Sequence, residues 1–423
     1  MTANSRISAF QRVTALAARR AVHGAFAWMH TNPRTIMDWQ AEMVAIPAPP
    51  FGEDARSSWV AERFAEIGLE AIETDAIGNV MGVLPAADLP PESSGPVVVL
   101  SAHLDTVFPV GTELAPALGE CNGGLRLTAP GACDNGAGVA GMLAVARAMT
   151  HAGVKPAAPV IVLANVGEEG EGDLRGVRHF YAQKRLAGRI AAHIVLDGAG
   201  ADSAVTQALG SRRFQVTVNG PGGHSFTDAG TPNPITTLAA ALTTLMRTPL
   251  PQEPRTTMNV GTIHGGTSVN SIPESATATV DFRSTSAGEL VRLEVALHRA
   301  VEDACIDANA RATQLGGSAR GQVSFAIAKI GDRPAARLEE DAPLLGALRA
   351  VDRHLGLRTE QRLGSTDANL PLSLGVQAIS LGAGGEGGGA HTLAEWYCDT
   401  ERELGLRRVL LLTLAVAEWA AEL

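Results

Sequence analysis

Cysteine, positive charge and long apolar runs are all scarce in this sequence of 423 residues. The four cysteines include no CxxC pair, so a thiolate zinc site is not expected and nothing in their spacing demands a disulfide. Acidic residues outnumber basic ones by 44 to 34, and no basic stripe is present, which argues against nucleic acid as a partner. No segment reaches the roughly 20 apolar residues that a membrane span requires, so no membrane partner is expected.

The N-terminal segment also lacks the apolar core of a secretory signal. Its short apolar runs between Ile7 and Met29 are interrupted by glutamine, arginine and histidine. We therefore expect an amphipathic helix packed on the core, and the cytoplasm as the location. The chain is too long for one small core, so two domains are expected.

Short apolar runs typical of buried parallel strands end in residues that can bind a metal ion. Ligands of open parallel sheets lie beyond the carboxyl ends of the strands. The runs cover residues 97–102, 159–166, 192–196 and 378–381. The residues that follow these runs, together with one in a glycine-rich turn before a helix, are His103, Asp134, Glu169, Asp197 and His391.

Two imidazoles and three carboxylates suit a borderline divalent ion such as Zn²⁺. One carboxylate shared by two ions would hold them about 3.5–4 Å apart, as in two-metal hydrolases. Asp105, two residues after His103, could orient its imidazole. Glu168 could accept a proton from a polarised water as a general base. For each motif taken singly, an acidic loop that binds no metal is the alternative.

Other catalytic motifs are absent. The glycine-rich turn at 131–138 has neither GxGxxG nor Walker spacing, so phosphate binding is not predicted. No GxSxG elbow surrounds Ser365, so we interpret this segment as a loop that lines the pocket, where Thr366 could contact substrate.

The pattern of elements changes between residues 211 and 328. Strand, helix, strand, strand, helix and strand follow one another there, which is the ferredoxin-like order. The sequence therefore predicts an α/β catalytic domain, in which helices flank a mostly parallel sheet, formed by residues 1–210 and 329–423. Residues 211–328 form an inserted α+β domain.

Seven motifs, in this order along nearly the whole chain, resemble one known family. It is the family of co-catalytic zinc exopeptidases and deacylases, which includes peptidase T, bacterial glutamate carboxypeptidase, acetylornithine deacetylase and aminoacylase. The motifs are SAHLDTV (101–107), GACDNGAG (131–138), GEEGEG (167–172), LDG (196–198), GPGGHS (220–225), GGTSVNSIPESATATVDFRS (265–284) and AHTLAEWY (390–397).

The resemblance implies a role for each residue of the predicted metal site. Asp134 would bridge two ions; His103 and Asp197 would complete one ion, and Glu169 and His391 the other. Glu168 would be the general base, and Asp105 would orient His103. Asn135 and Gly136 stand where family members often have Asp or Met and then Lys, which changes the surroundings of the metals.

The resemblance also implies that the inserted domain is a dimerisation, or lid, domain. His224 would reach the active site of a partner in a homodimer and stabilise the tetrahedral oxyanion. Asn259 and Arg283 match positions that hold substrate, and Arg283 could clamp a carboxylate through two hydrogen bonds.

The expected function is hydrolysis of amide bonds in small peptides by an exopeptidase of amino- or carboxypeptidase type. Two divalent ions are expected, Zn²⁺ first, with Co²⁺ or Mn²⁺ as alternatives. Two other functions stay open: an N-acyl amino acid deacylase, and a non-catalytic dimeric binding protein. The substrate itself is not predicted, because fold does not set function.

Overall fold

Parallel strands form the centre of one of two units in the computed structural model, which describes residues 8–87, 95–316 and 320–423. The first unit comprises residues 1–208 and 337–423, and the second comprises residues 209–336. The second unit begins two residues before the predicted insertion at 211–328 and ends eight residues after it. The last strand of its sheet runs to Arg333, which explains the later end.

The strands of the described residues are numbered in chain order. They are β1 (Glu70–Thr74), β2 (Val80–Leu84), β3 (Val97–His103), β4 (Ala117–Cys121), β5 (Gly124–Thr128), β6 (Val160–Asn165), β7 (Ile190–Leu196), β8 (Ser203–Ala208), β9 (Gly210–Asn219), β10 (Gly223–His224), β11 (Thr256–Gly265), β12 (Ser271–Ile272), β13 (Ser275–Ser284), β14 (Ser324–Arg333), β15 (Ala336–Arg337), β16 (Glu360–Gly364), β17 (Gln377–Leu381), β18 (Glu386–Gly388) and β19 (Trp396–Cys398).

The α-helices of the same residues are numbered likewise. They are α1 (Ala9–Ala17), α2 (Arg20–Thr31), α3 (Pro33–Val44), α4 (Asp54–Ile67), α5 (Gly136–Ala152), α6 (Arg175–Tyr181), α7 (Pro234–Leu245), α8 (Ala287–Gln314), α9 (Pro343–Leu355), α10 (Asn369–Ser373) and α11 (Arg402–Ala420). Among them, no helix combines the length and apolar character needed to traverse a membrane.

The main sheet of the first unit has the strand order β1-β2-β6-β3-β7-β17-β8, with β16 beside β8. Its four central strands, β6, β3, β7 and β17, are mutually parallel. Both β3 and β6 are buried along their whole length, as expected for strands with both faces covered. Helix α5 is rich in alanine and glycine and buried on nearly every side, so it packs closely against β3 and α2. The prediction of a mostly parallel sheet flanked by helices is confirmed.

The second unit has a four-stranded antiparallel sheet in the order β11-β13-β9-β14. Helices α7 and α8 pack on this sheet around a core that includes Phe214, Phe282 and Leu297. Strands and helices follow one another in the predicted order, and the ferredoxin-like arrangement is confirmed.

A small sheet in the first unit was not predicted. Residues 111–130 contain the hairpin of β4 and β5, which pairs with β19 and then β18. A disulfide joins Cys121 to Cys398 across 277 residues of sequence. The strand that completes this sheet is so distant in the chain that the local sequence carried no signal of either feature.

Candidate functional site

Two groups of three metal-binding side chains share one residue, Asp134. The first group comprises His103, Asp134 and Asp197, and the second comprises Asp134, Glu169 and His391. Within each group the ligand atoms lie within 4.8 Å of one another. The structure thus brings together all five residues that were predicted to bind metal, and it places Asp134 between the two pairs.

Distances within the site show how closely the donors converge. The Nε2 atom of His103 lies 3.2 Å from Asp134 Oδ1 and 3.9 Å from Asp197 Oδ1. The Nε2 atom of His391 lies 3.1 Å from Asp134 Oδ2 and 3.0 Å from Glu169 Oε1. Each carboxylate oxygen of Asp134 therefore faces a different imidazole.

Parallel strand ends place the first group. His103 is the last residue of β3, and Asp197 directly follows the adjacent parallel strand β7. The Asn135 side chain connects Asp134 to this strand end. Its Oδ1 accepts hydrogen bonds from the N–H groups of Gly138, in the first turn of α5, and Gly198, and its Nδ2 donates to the carbonyl of Leu196. In the sequence, Asn135 was notable only as a departure from the family. In the structure it caps α5 and connects this helix to the end of β7.

Asp105 is buried and holds the loop that follows β6. Its Oδ1 accepts a hydrogen bond from the backbone N–H of Glu168 at 2.9 Å, and its Oδ2 accepts one from Glu169 at 2.7 Å. Its main-chain oxygen lies 3.1 Å from His103 Nδ1, and its carboxylate lies 3.7 Å from that atom. Asp105 therefore contacts the imidazole as the sequence suggested, and it also fixes the backbone of the two glutamates.

The charges of the site are strongly coupled. Burial opposes protonation of His103, but the carboxylates of Asp105, Asp134 and Asp197 outweigh this effect and raise its pKa well above the usual value. The pKa of His391 is raised to about 9, chiefly by its hydrogen bond to Asp134. Burial and the charge of Asp134 raise the pKa of Glu169 to about 7. A cluster of carboxylates that attracts protons so strongly also suits a divalent cation.

The donor set fits a pair of metal ions. Asp134 Oδ1 is buried and lies 3.2 Å from His103 Nε2, so a carboxylate and an imidazole meet at one point of the site. Imidazole and carboxylate donors are the ligands that Zn²⁺ and related ions take from proteins. Glu168 is buried beside the second group, at 5% exposure, where a general base would be shielded from bulk water.

Thr366 lies in a buried turn of the first unit. Its Oγ1 accepts a hydrogen bond from the N–H of Ala368, and its own N–H donates to Asn369 Oδ1. The adjacent Asp367 accepts a hydrogen bond from Asn165, which pairs with His103 in the sheet. Burial raises the pKa of Asp367 to about 6. The structure thus places this turn near His103 through Asn165, and the sequence analysis overlooked Asp367.

His224, Asn259 and Arg283 belong to the second unit and have partners there. His224 is exposed, and its Nδ1 accepts hydrogen bonds from the N–H groups of Phe226 and Thr227, so the ring proton lies on Nε2. Arg283 Nε donates to Asp281 Oδ2 at 2.8 Å, and Asn259 pairs with Asp281 across β11 and β13. The two predicted substrate-binding residues are therefore close together on this sheet.

Residues 99–415 match the peptidase family M20/M25/M40, so the chain belongs to that family. A probable carboxypeptidase from Aspergillus clavatus is 27% identical over 289 residues, which cover 64% of this chain and 63% of that protein. The match thus spans less than two thirds of this relative, and about half, 52%, of several other probable carboxypeptidases.

Solved structures share the fold. A tripeptidase from Staphylococcus aureus superposes with a TM-score of 0.69 at 20% identity, covering 92% of this chain and 99% of that one. A dinuclear metal-binding peptidase of the M20 family from Bacillus subtilis superposes with a TM-score of 0.59 at 16% identity, covering 91% and 98%. The predicted family and the predicted fold class are thereby confirmed.

Proposed function

We propose that this chain is a metal-dependent exopeptidase that hydrolyses amide bonds of small peptides. The observation that carries the proposal is the pair of three-residue groups that share Asp134 in a member of the M20/M25/M40 family. The names of its relatives, which include a probable carboxypeptidase and a tripeptidase, support a peptide substrate.

In this proposal His103 and Asp197 would hold one divalent ion, Glu169 and His391 would hold the other, and Asp134 would contribute to both. Zn²⁺ is the ion proposed first, and Co²⁺ or Mn²⁺ could replace it. Such ions, when bound, polarise the scissile carbonyl and lower the pKa of a water molecule. The two oxygens of Asp134, each facing a different imidazole, support this assignment.

The proton transfers fall to Glu168. Its carboxylate takes a proton from the attacking water and then delivers it to the leaving amine nitrogen. Asp105 supports this role, because its carboxylate binds the backbone N–H groups of both Glu168 and Glu169 and so fixes the base relative to a ligand.

The second unit would complete the site from another subunit. We assign the oxyanion donor to the partner's His224, in a homodimer formed through the second unit. The protonated Nε2 of His224 and its exposure support a donor role. Arg283 would bind a substrate carboxylate and Asn259 a substrate amide, while Thr366 would line the pocket in the first unit.

An N-acyl amino acid deacylase is the second candidate. Arg283 supports it as well as it supports the exopeptidase, because N-acyl amino acids and the C-terminal ends of peptides carry the same carboxylate. A panel of di- and tripeptides and N-acyl amino acids distinguishes these two substrate classes.

Metal removal tests the proposal. Chelation should abolish hydrolysis of the preferred substrate, and Zn²⁺, Co²⁺ or Mn²⁺ should restore it, with about two ions bound per chain. The His391→Ala variant should lose one of these ions, whereas the exposed His151→Ala variant should bind both. Full activity of metal-free protein would contradict a metal mechanism, and two bound ions without hydrolysis of any substrate would favour a binding protein.

A further inference from the structure

Glu395 is a buried carboxylate that is not among the predicted ligands. It directly precedes β19 and has no exposed surface. Its Oε1 accepts hydrogen bonds from the N–H groups of Cys133 at 2.8 Å and Asp134 at 2.7 Å. Its Oε2 accepts a hydrogen bond from the N–H of Gly131 at 2.8 Å. One side chain therefore binds three of the four N–H groups in the turn that carries Asp134.

These three N–H groups need such a partner. The turn precedes α5, so its N–H groups have no partner in a strand or helix ladder, and a buried N–H without a partner costs about 1–3 kcal/mol. Gly131 has a φ of 78° at the start of the turn, a left-handed conformation that glycine adopts at no steric cost. A carboxylate accepts from all three groups at once, whereas an amide would point an NH₂ donor at one of them.

The same residue also fixes the segment of His391. His391 lies four residues before Glu395, in the left-handed region with a φ of 64°. Backbone hydrogen bonds from Thr392 to Gly389 and from Glu395 to Thr392 close this turn, and the Glu395 carbonyl accepts from Ala129. Glu395 therefore connects, through both its side chain and its backbone, the two segments that supply Asp134 and His391.

We propose that Glu395 is a positioning residue that holds Asp134 and His391 at the spacing required for the ion they share with Glu169. The inference rests on the proposed function, because it assumes that these residues bind metal. His103 and Asp197 are placed instead by the parallel strands β3 and β7. Loss of the Glu395 carboxylate should therefore weaken one ion more than the other.

Calorimetric titration of metal-free protein with Co²⁺ tests this inference in wild type, Glu395→Gln and Asp399→Asn. Asp399 is the matched control, because its Oδ1 accepts a hydrogen bond from the N–H of Leu125 in the same small sheet, away from the Asp134 turn. The Glu395→Gln variant should bind one of two ions about 10–100-fold more weakly. Excess Co²⁺ should restore its turnover, and Asp399→Asn should bind both ions as wild type does.

A purely structural role predicts a different outcome. Glu395→Gln would then lower the unfolding temperature but bind both ions with wild-type affinity, and this result would overturn the inference. If Glu395→Gln does not fold, Glu395→Asp, which keeps the charge on a shorter side chain, should show the same selective weakening of one ion. A wild type that binds fewer than two ions would instead overturn the proposed function.

Discussion

The two units present their functional residues in opposite ways. In the first unit, His103, Asp105 and Asp134 are held by one another and by backbone N–H groups at the ends of buried strands. In the second unit, His224 is exposed, and the side chain of Arg283 pairs with Asp281 on its own strand. The first arrangement lies within one unit, whereas in the proposed function the second acts on a substrate or on the site of another subunit.

The largest expected loss of turnover follows from changing Glu168 in the first unit. Glu168→Gln preserves size and polarity but removes the proton acceptor, so turnover should fall by about 10²–10⁴-fold. Both ions should remain bound, because Glu169 is the proposed ligand. Steady-state kinetics and metal analysis check this, with the exposed Glu171→Gln in the same loop as the control. Loss of metal from Glu168→Gln would mean that the two glutamates have exchanged roles.

A smaller loss of turnover is expected when His224 in the second unit is changed. His224→Ala removes the proposed oxyanion donor, so turnover should fall by about 10²–10³-fold while both ions and the dimer are retained. The exposed His298→Ala variant serves as the control.

Mixing two inactive variants decides whether His224 acts across a dimer. Equal amounts of Glu168→Gln and His224→Ala chains, allowed to exchange, should regain activity in about a quarter of all sites. Each mixed dimer then has one site that combines an intact Glu168 with an intact imidazole from the other subunit. Mixed dimers that stay inactive would contradict a role in trans.

The first unit also contains the disulfide, which should stabilise the folded chain. Cys121–Cys398 closes a loop of 277 residues and attaches the strand after Glu395 to the β4–β5 hairpin. Its removal in the Cys121→Ser/Cys398→Ser double variant should lower the free energy of unfolding by about 2–5 kcal/mol. Denaturant unfolding under oxidising conditions measures this, and Cys305→Ser, which changes a free thiol of the second unit, is the control. Equal stability of wild type and double variant would show that the bond contributes nothing.

A buried histidine of the first unit should link the free energy of unfolding to pH. His193 is fully buried between Tyr181 and Ser101, and burial lowers its pKa to about 3. In the unfolded chain a histidine takes up a proton near pH 6.5. The contribution of the neutral, buried His193 to the free energy of unfolding is therefore fully present above that pH. It is lost as the pH falls towards 3, by at most about 1.4 kcal/mol per pH unit.

Urea unfolding between pH 7 and 4 measures this slope. The His193→Gln variant should lose stability less steeply than wild type over this range, although it starts from a lower value. His264→Gln, which changes an exposed histidine of the second unit, is the substitution control. The same slope in wild type and His193→Gln would contradict the lowered pKa of His193.

Local sequence was sufficient for most elements. Apolar runs predicted β3, β6, β7 and β17 because a strand buried on both faces needs apolar residues at every position. Gly68 follows α4 with a φ of 87°, a left-handed conformation that glycine adopts readily at a helix end. The β4–β5 hairpin and the disulfide escaped prediction, since each depends on β19, which lies more than 260 residues further along the chain.

The sequence by itself determined which side chains lie at one edge of the sheet. Parallel strands have their carboxyl ends at the same edge, so the residues that follow them lie there too. Only the tertiary structure decided how these side chains are held. Asn135, Glu395 and the carboxylate of Asp105 bind backbone N–H groups from other segments. No local pattern encodes such partners, because they meet only when distant segments pack and bury polar groups that must then be satisfied.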